Sequence, residues 1–247
     1  MLEDEFGDII KKARRGLNIS LNELEEESKI SKKDLEKMES YELKPDEGQI
    51  KKLSKILKLN FIKLKRITLE NWEPSKQDLG NVIKIENDYH GYNVNSYLVV
   101  EDDEVVAIDT GANPETIKKK VNELGKELKA VLLTHRHADH SEGVGDLDCK
   151  IIMNLREDEE ISIDKFSIKI FATPGHTAGS NSFLIDNFLF VGDEIFAGSI
   201  GNSEIKYDKH LETIKEKIFS LGDDIVILPG HGPITSVKEE KENNPFF

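Results

Sequence analysis

The sequence predicts an α/β protein in two parts, a small all-α domain over residues 1–72 followed by a larger α/β domain over residues 80–247. Three observations carry this prediction. From Phe6 to about Ile67 apolar residues recur at spacings of three and four without strand-like alternation, the period of one helical face. After Asn71-Trp72-Glu73-Pro74-Ser75-Lys76 the texture changes to short runs rich in Val, Ile and Phe separated by turn residues. The charge divides at the same place. Residues 1–70 hold 16 Lys or Arg against 15 Asp or Glu, a balance of +1, while the remainder holds 18 against 33, or −15, and so carries all of the excess behind the net charge of −14.

In the first part, Ser20 is a suitable N-cap with Glu23 three residues on, the arrangement in which each side chain satisfies the other's free backbone N–H. Ser31 caps the next short helix, which holds Leu35 and Met38 on one side. Pro45 and Gly48 mark a break before the stripe Ile50, Leu53, Ile56 and Leu57, giving about five short helices in all. In the second part, strands are expected at 82–85, 96–100, 105–109, 130–134, 151–153, 168–172, 182–185, 188–191 and 225–228, and helices at 114–124 and 209–219. The acidic run at 157–160 reads as a solvated loop.

Composition excludes several classes of function. With 37% apolar and 33% charged residues and no apolar run near the roughly 20 residues that span a bilayer, no membrane partner is expected. The N-terminal residues Met1 to Asp8 lack the basic and apolar regions of a secretory signal, so the expected compartment is the cytoplasm. The single cysteine, Cys149, leaves no intrachain disulfide and no cysteine-rich cluster, and any metal must be held by His and carboxylates. The acidic second part should repel nucleic-acid backbones.

Three of the seven histidines fall in Thr134-His135-Arg136-His137-Ala138-Asp139-His140. Leu132-Leu133-Thr134 reads as the end of a buried strand, so these residues lie on a loop at its carboxyl edge, where α/β sheets place their sites. His135 and His137 can point the same way from extended backbone, with Asp139 and His140 turned towards a second point nearby. Three further apolar runs end in a tight turn that offers a ligand, at His176, Asp193 and His231. Five His and two Asp are nitrogen and oxygen donors suited to zinc, iron or manganese. Seven are too many for one tetrahedral ion and right for two ions sharing one carboxylate and one water. His90, His210 and Cys149 read as ordinary packing or surface residues.

On these residues the second part resembles the metallo-β-lactamase fold superfamily, whose His-x-His-x-Asp-His stands at His135 to His140, with the later His, Asp and His at His176, Asp193 and His231. Ile108-Asp109-Thr110-Gly111 resembles its early Asp-x-Gly turn. The stretches 173–180, 192–201 and 229–233 and the tail Asn244-Pro245-Phe246-Phe247 are similar to the hydroxyacylglutathione-hydrolase-like branch. The resemblance implies a four-layer αββα sandwich. It also implies that His135, His137 and His176 hold a first metal, that Asp139, His140 and His231 hold a second, that Asp193 bridges them, and that Asp109 orients the ligand loops. Short members of the branch often carry Arg-Thr-Asp where this chain has Asn202-Ser203-Glu204, and Gly where it has Glu142, which leaves the thiol partner open.

Residues 7–67 resemble the Cro/phage-repressor type of helix-turn-helix domain, with a recognition helix at 32–39 whose Lys32, Lys33 and Lys37 could meet duplex DNA. Glu25 replaces the small residue usual there, and the other reading of the segment is a helical dimerisation or docking module serving a homodimer.

Together these features imply a metal-dependent hydrolase of a small thioester or acyl ester, using two divalent ions, zinc first among them, with Asp139 catalytic. Two other readings use the same residues: a mononuclear iron persulfide dioxygenase, and a regulator whose metal or ligand pocket controls DNA binding.

Overall fold

The computed structural model describes residues 1–111 and 113–247. The first part forms five helices, α1 (Phe6–Gly16), α2 (Leu21–Ser28), α3 (Lys32–Glu39), α4 (Glu47–Ile56) and α5 (Phe61–Leu69). Their starts are fixed by local chemistry. The Ser20 hydroxyl accepts the Glu23 N–H at 3.2 Å while Glu23 takes the Ser20 N–H at 2.7 Å, and Ser31, Asp46 and Asn60 cap the later helices in the same sense. Glu25, out of place by the repressor pattern, accepts the backbone N–H of Lys32 at 3.0 Å and so joins α2 to the start of α3.

The second part is a sandwich of two sheets. The first sheet runs β1 (Val82–Tyr89), β2 (Tyr92–Glu101), β3 (Glu104–Ile108), β4 (Glu127–Leu132) and β5 (Lys150–Ile152) in that spatial order. Helix α6 (Pro114–Leu124) connects β3 to its parallel neighbour β4, and α7 (Ala138–Ser141) follows β4. The second sheet holds β6 (Glu159–Ile163), β7 (Phe166–Ala172), β8 (Asn181–Ile185) and β9 (Phe188–Gly192). A small ribbon of β10 (Ile195–Phe196) and β11 (Ser199–Ile200) and then helix α8 (Tyr207–Thr213) lead back to the sheet through β12 (Val226–Pro229) and β13 (Thr235–Ser236). Its spatial order is β13-β12-β9-β8-β7-β6, and α9 (Val237–Asn243) closes the chain. The mixed α/β architecture expected from the sequence is present, and no helix among the described residues is long and apolar enough to cross a membrane.

Two expectations need correction. The acidic run at 157–160 is solvated, but it is not all loop: Glu159 and Glu160 begin β6, an edge strand in which exposed Glu160 and Ser162 alternate with Ile161 and Ile163 facing inward. Charges on such an edge deter pairing with another chain. The helix expected at 209–219 begins at Tyr207 and passes at Ile214–Ile218 into a wider π turn.

Apolar side chains settle in three layers. Between the sheets lie Tyr97, Val99, Val106, Ile108 and Leu132 against Phe166, Ile168, Phe183, Phe190 and Leu228. Outside the first sheet, α6 lays Ile117 and Val121 on Leu98, Ala107 and Val131. Outside the second sheet, Leu189, Val191 and Ile227 share one continuous core with Ile214, Val237 and Phe246, and also with Phe6, Ile9, Ile10, Leu53, Leu64 and Ile67 of the first part. Each fully buried aliphatic side chain contributes roughly 1.5–3 kcal/mol. The helical segment is therefore an outer layer of the sandwich. Its α5 is tied to the tail as well, with Asn60 N–H donating to Pro245 O at 2.7 Å and Arg66 to Asn243 Oδ1 at 3.1 Å.

Candidate metal centre

Strand ends from both sheets meet at one edge of the sandwich. Beyond β3, Asp109 adopts left-handed backbone at φ 56° and is buried. Its Oδ1 accepts the Thr134 N–H at 2.8 Å, and its Oδ2 accepts the Thr134 hydroxyl at 2.8 Å and faces His140 Nδ1 at 2.9 Å. One carboxylate thus fixes the loop from Thr134 to His140 at both ends. Beyond β7, β9 and β12 come His176, Asp193 and His231. Two glycines permit this crowding. A Cβ at Gly192, whose φ is 52°, would lie 2.4 Å from Thr134 Oγ1, and one at Gly230 would lie 2.3 Å from Asp193 Oδ1.

The residues singled out from sequence fall into two adjoining groups, His135, His137, His176 and Asp193 in one, and Asp139, His140 and His231 in the other. Within each group the donor atoms lie within 4.8 Å of one another. Asp193 faces both groups: its Oδ2 is 3.7 Å from His176 Nε2 and 3.5 Å from His231 Nε2, and its Oδ1 is 3.4 Å from His140 Nε2.

The outer nitrogen of every one of the five rings is engaged. His140 Nδ1 faces Asp109 at 2.9 Å, His176 Nδ1 faces Asn202 O at 2.8 Å, and His231 Nδ1 faces Asn93 O at 2.8 Å. His137 Nε2 faces Glu204 Oε1 at 3.0 Å, and His135 Nδ1 faces Thr134 Oγ1 at 3.0 Å, whose own proton goes to Asp109. All five partners are acceptors, so each outer nitrogen carries the proton and each inner nitrogen presents a lone pair. Those lone pairs converge, with His135 Nε2 and His176 Nε2 at 3.0 and 2.9 Å from His137 Nδ1, and His140 Nε2 3.4 Å from His231 Nε2. Asp193 Oδ1 is buried and has no hydrogen-bond donor. Opposed lone pairs and an orphaned carboxylate oxygen are stable together only around positive charge, so the donor set fits divalent cations.

The two carboxylates draw positive charge into the same space, and where no cation stands His231 takes a proton on its inner nitrogen instead. Burial and the neighbouring His140 push His135 down to about 2. Burial would also lower His231, but Asp193 and Asp139 overcome it and push the ring up to about 11. Burial would raise Asp193 and Asp139, yet the surrounding imidazoles hold both carboxyls below their ordinary range.

Sequence reading missed several contributors. Glu204, in the sequence only a departure from the branch's pattern, is the partner of His137. His210, read as packing, is indeed fully buried, with Nδ1 2.7 Å from Ser203 Oγ and Nε2 2.9 Å from Glu194 O. Glu194 in turn accepts the backbone N–H of His176 at 3.1 Å, so this buried pair braces the His176 turn. Also unforeseen are Glu3, Lys11, Lys12 and Arg15, which line a cavity of about 270 Å³ together with His176, Asp193 and His231. Lys32 and Lys33 lie exposed on α3 and are not among that cavity's lining residues, and Lys37 is half-buried. His90 stands in the exposed turn between β1 and β2, and Cys149 packs beside the α6 core.

A family model described as the metallo-beta-lactamase superfamily matches residues 90–157. A probable metallo-hydrolase of Streptococcus pyogenes is 29% identical over 197 residues, 62% of this chain and 85% of that protein. The hydroxyacylglutathione hydrolase GloC of Haemophilus influenzae is 29% identical over 195 residues, 62% of this chain and 92% of the relative. Among solved structures, the BLEG-1 B3 metallo-beta-lactamase superposes with a TM-score of 0.61 at 25% identity, covering 66% of this chain and 99% of that one. Family model, relatives and structures together support the superfamily expected from the His-x-His-x-Asp-His motif, and the names of the relatives support a metallo-hydrolase.

Proposed function

We propose that the chain hydrolyses a small thioester or acyl ester at a centre of two divalent metal ions, with zinc as the metal best suited to the donors. His135, His137 and His176 would hold one ion, Asp139, His140 and His231 the other, and Asp193 would contribute to both. The observation that carries this reading is the set of five imidazoles whose outer nitrogens are all tied to acceptors and whose inner nitrogens all converge. Such ions, when bound, bring the pKa of a coordinated water near 7 and polarise a carbonyl.

The protein's own groups supply orientation. Asp139 is the partly open carboxylate of the set, with Oδ2 3.4 Å from His231 Nε2 and 3.6 Å from His140 Nε2. Held ionised by these rings, it can accept a hydrogen bond from the attacking water at Oδ2 and fix its direction. Asp109 keeps His140 in one tautomer, and Glu204 does the same for His137. The buried ring of Phe196, 5.9 Å from that of His231, excludes water from one side.

Metal content by mass, measured with activity on a panel of thioesters, tests this reading. Two zinc-type ions per chain and ester cleavage are expected. One iron per chain with oxygen consumption would replace the hydrolase by the dioxygenase.

A second role concerns the helical segment. Helices α2 and α3 form over the residues expected of a helix-turn-helix, and Lys32 and Lys33 lie exposed at the start of α3. Salt-dependent retention of duplex DNA, lost on Lys32→Glu with Lys33→Glu, supports a DNA reader, and absence of binding at low salt removes it.

A further inference from the structure

Helix α1 belongs by sequence to the helical segment, yet it lies across the mouth of the metal centre. At its start, Glu3 packs on Gly232, next to His231, so closely that a Cβ on that glycine would come within 3.0 Å of the Glu3 Cβ. Buried Asp4 accepts from both the Ser199 hydroxyl and Lys12 Nζ. Lys12 also donates to Ile200 O at 2.8 Å and lies 5.0 Å from the centre of the Phe196 ring. At its end, Gly16 packs on Tyr207, where a Cβ would stand 2.4 Å from the ring carbons. With Ile9, Ile10 and Ala13 fully buried on the opposite side, α1 cannot leave without opening the core.

The 270 Å³ cavity over the metal centre adjoins a second of about 1030 Å³, and Lys12, Arg15 and Asn202 line both. The larger one lies between the end of α1 and the residues from Ile200 to Glu212, and is roomy enough for a ligand of several hundred Å³. Four cations and two carboxylates line it. Lys12 and Lys209 are paired, with Asp4 and Glu212 respectively. Arg15 and Lys206 are exposed and have no side-chain hydrogen bond or ion pair among the described residues. In a lining where cations outnumber carboxylates, two unpaired cations beside a passage to the reactive centre mark a place for negative charge.

We propose that Arg15 of α1 and Lys206 bind the anionic, non-reacting tail of the substrate, a carboxylate or phosphate group, while the scissile carbonyl reaches His176, Asp193 and His231. This rests on the hydrolase reading and adds the class of substrate to it. It also gives the helical segment a part in the enzyme, as one wall of the substrate cavity. The Arg15 guanidinium presents a planar fork of donors that matches either oxyanion in two-point contact, and Lys206 adds a point charge.

The full chain, loaded with metal, is assayed on acetyl thioesters of a neutral thiol (N-acetylcysteamine), of glutathione for carboxylates and of coenzyme A for phosphates. One anionic thioester should be preferred, and which one identifies the anion. The Arg15→Ala, Lys206→Ala double variant should raise KM for the preferred thioester roughly 10- to 100-fold and change the neutral one less than about twofold. Arg15→Lys should restore part of the loss, and Lys150→Ala, on the exposed end of β5, should change nothing. The thioethers S-methylglutathione and S-methyl coenzyme A, titrated calorimetrically, separate the two readings. If one of them binds and loses about tenfold or more in affinity in the double variant while no thioester is cleaved, the subsite stands and the hydrolase reading falls. If neither thioether binds, or the double variant treats neutral and anionic compounds as the parent does, the proposal is overturned.

Discussion

The two outer faces of the sandwich are covered in different ways. The first sheet is covered by α6, which buries Pro114, Ile117 and Val121 and no ionisable side chain. The second is covered by the helical segment with α8 and α9, and this cover buries Asp4, Glu39, His210 and Glu240 among its apolar residues. Glu39 is held by two bonds from Arg14 at 2.6 and 2.8 Å, which lock α1 to α3, and Asp4 joins α1 to β11. Buried charge costs stability unless it is paired and gives a unique geometry in return. An apolar cover suffices where only burial is needed, and the polar one occurs where α1 must be set against a reactive centre.

This contrast can be broken or sharpened by experiment. The largest effect is expected from Asp139→Ala, which should lower turnover on the order of 10²–10⁴-fold with the fold intact, whereas Ile117→Ala under α6 should leave kcat of the folded fraction near the parent's. Equal losses from the two changes would erase the functional difference between the faces. Next comes Ile9→Ala, in the core shared by α1 and the second sheet, with a cost of about 2–5 kcal/mol. It should lower a single unfolding transition of the whole chain, and two separated transitions in calorimetry would show that the helices are an independent body.

Glu240 gives a pH-dependent contrast. Burial pushes its carboxyl up to about 7, against lowering by Asn244, Thr235 and the Gly198 N–H. The folded state therefore favours the neutral form, and the contribution to stability is complete below about pH 4.5 and lost as the pH rises through 7. Glu240→Gln keeps the neutral shape, with Thr235 free to turn its hydroxyl and accept. The variant should exceed the parent by up to about 3 kcal/mol above pH 7, and parallel denaturation profiles from pH 4.5 to 8 would refute this. The smallest effect is that of Asp109→Asn, which keeps one oxygen, so that it cannot accept from both the Thr134 N–H and His140 Nδ1, and should weaken metal retention roughly 10- to 100-fold on dialysis. Unchanged retention would mean that the loop is held by Asp193 and the glycine turns alone.

Much of the site is legible in the sequence because its pattern is local. His135 to His140 follow one strand, and each later ligand follows an apolar run and stands next to a glycine, so composition and spacing alone pick out seven residues. The helix Pro114–Leu124 and the starts of α2 and α3 are legible for the same reason, since proline, caps and a 3.6-residue period act within a few positions. The second half of the acidic run was misread because an edge strand with charged outward positions looks like a loop when its partner is unknown.

By itself, then, the sequence picked out the candidate donors and the kinds of element that carry them, because hydrophobic period, caps and ligand spacing are short-range properties of the chain. The tertiary structure alone decided what surrounds those donors. Lys12 and Ile200 are 188 positions apart, and nothing near either one announces their contact. The core that joins Ile9 to Leu189 and Ile227 draws α1 over the metal centre, since burying that shared apolar surface is what fixes how helix and sheet sit. The tautomers of the five histidines, set by Asn93, Thr134, Asn202, Glu204 and Asp109, became visible only once the loops that carry them were folded together.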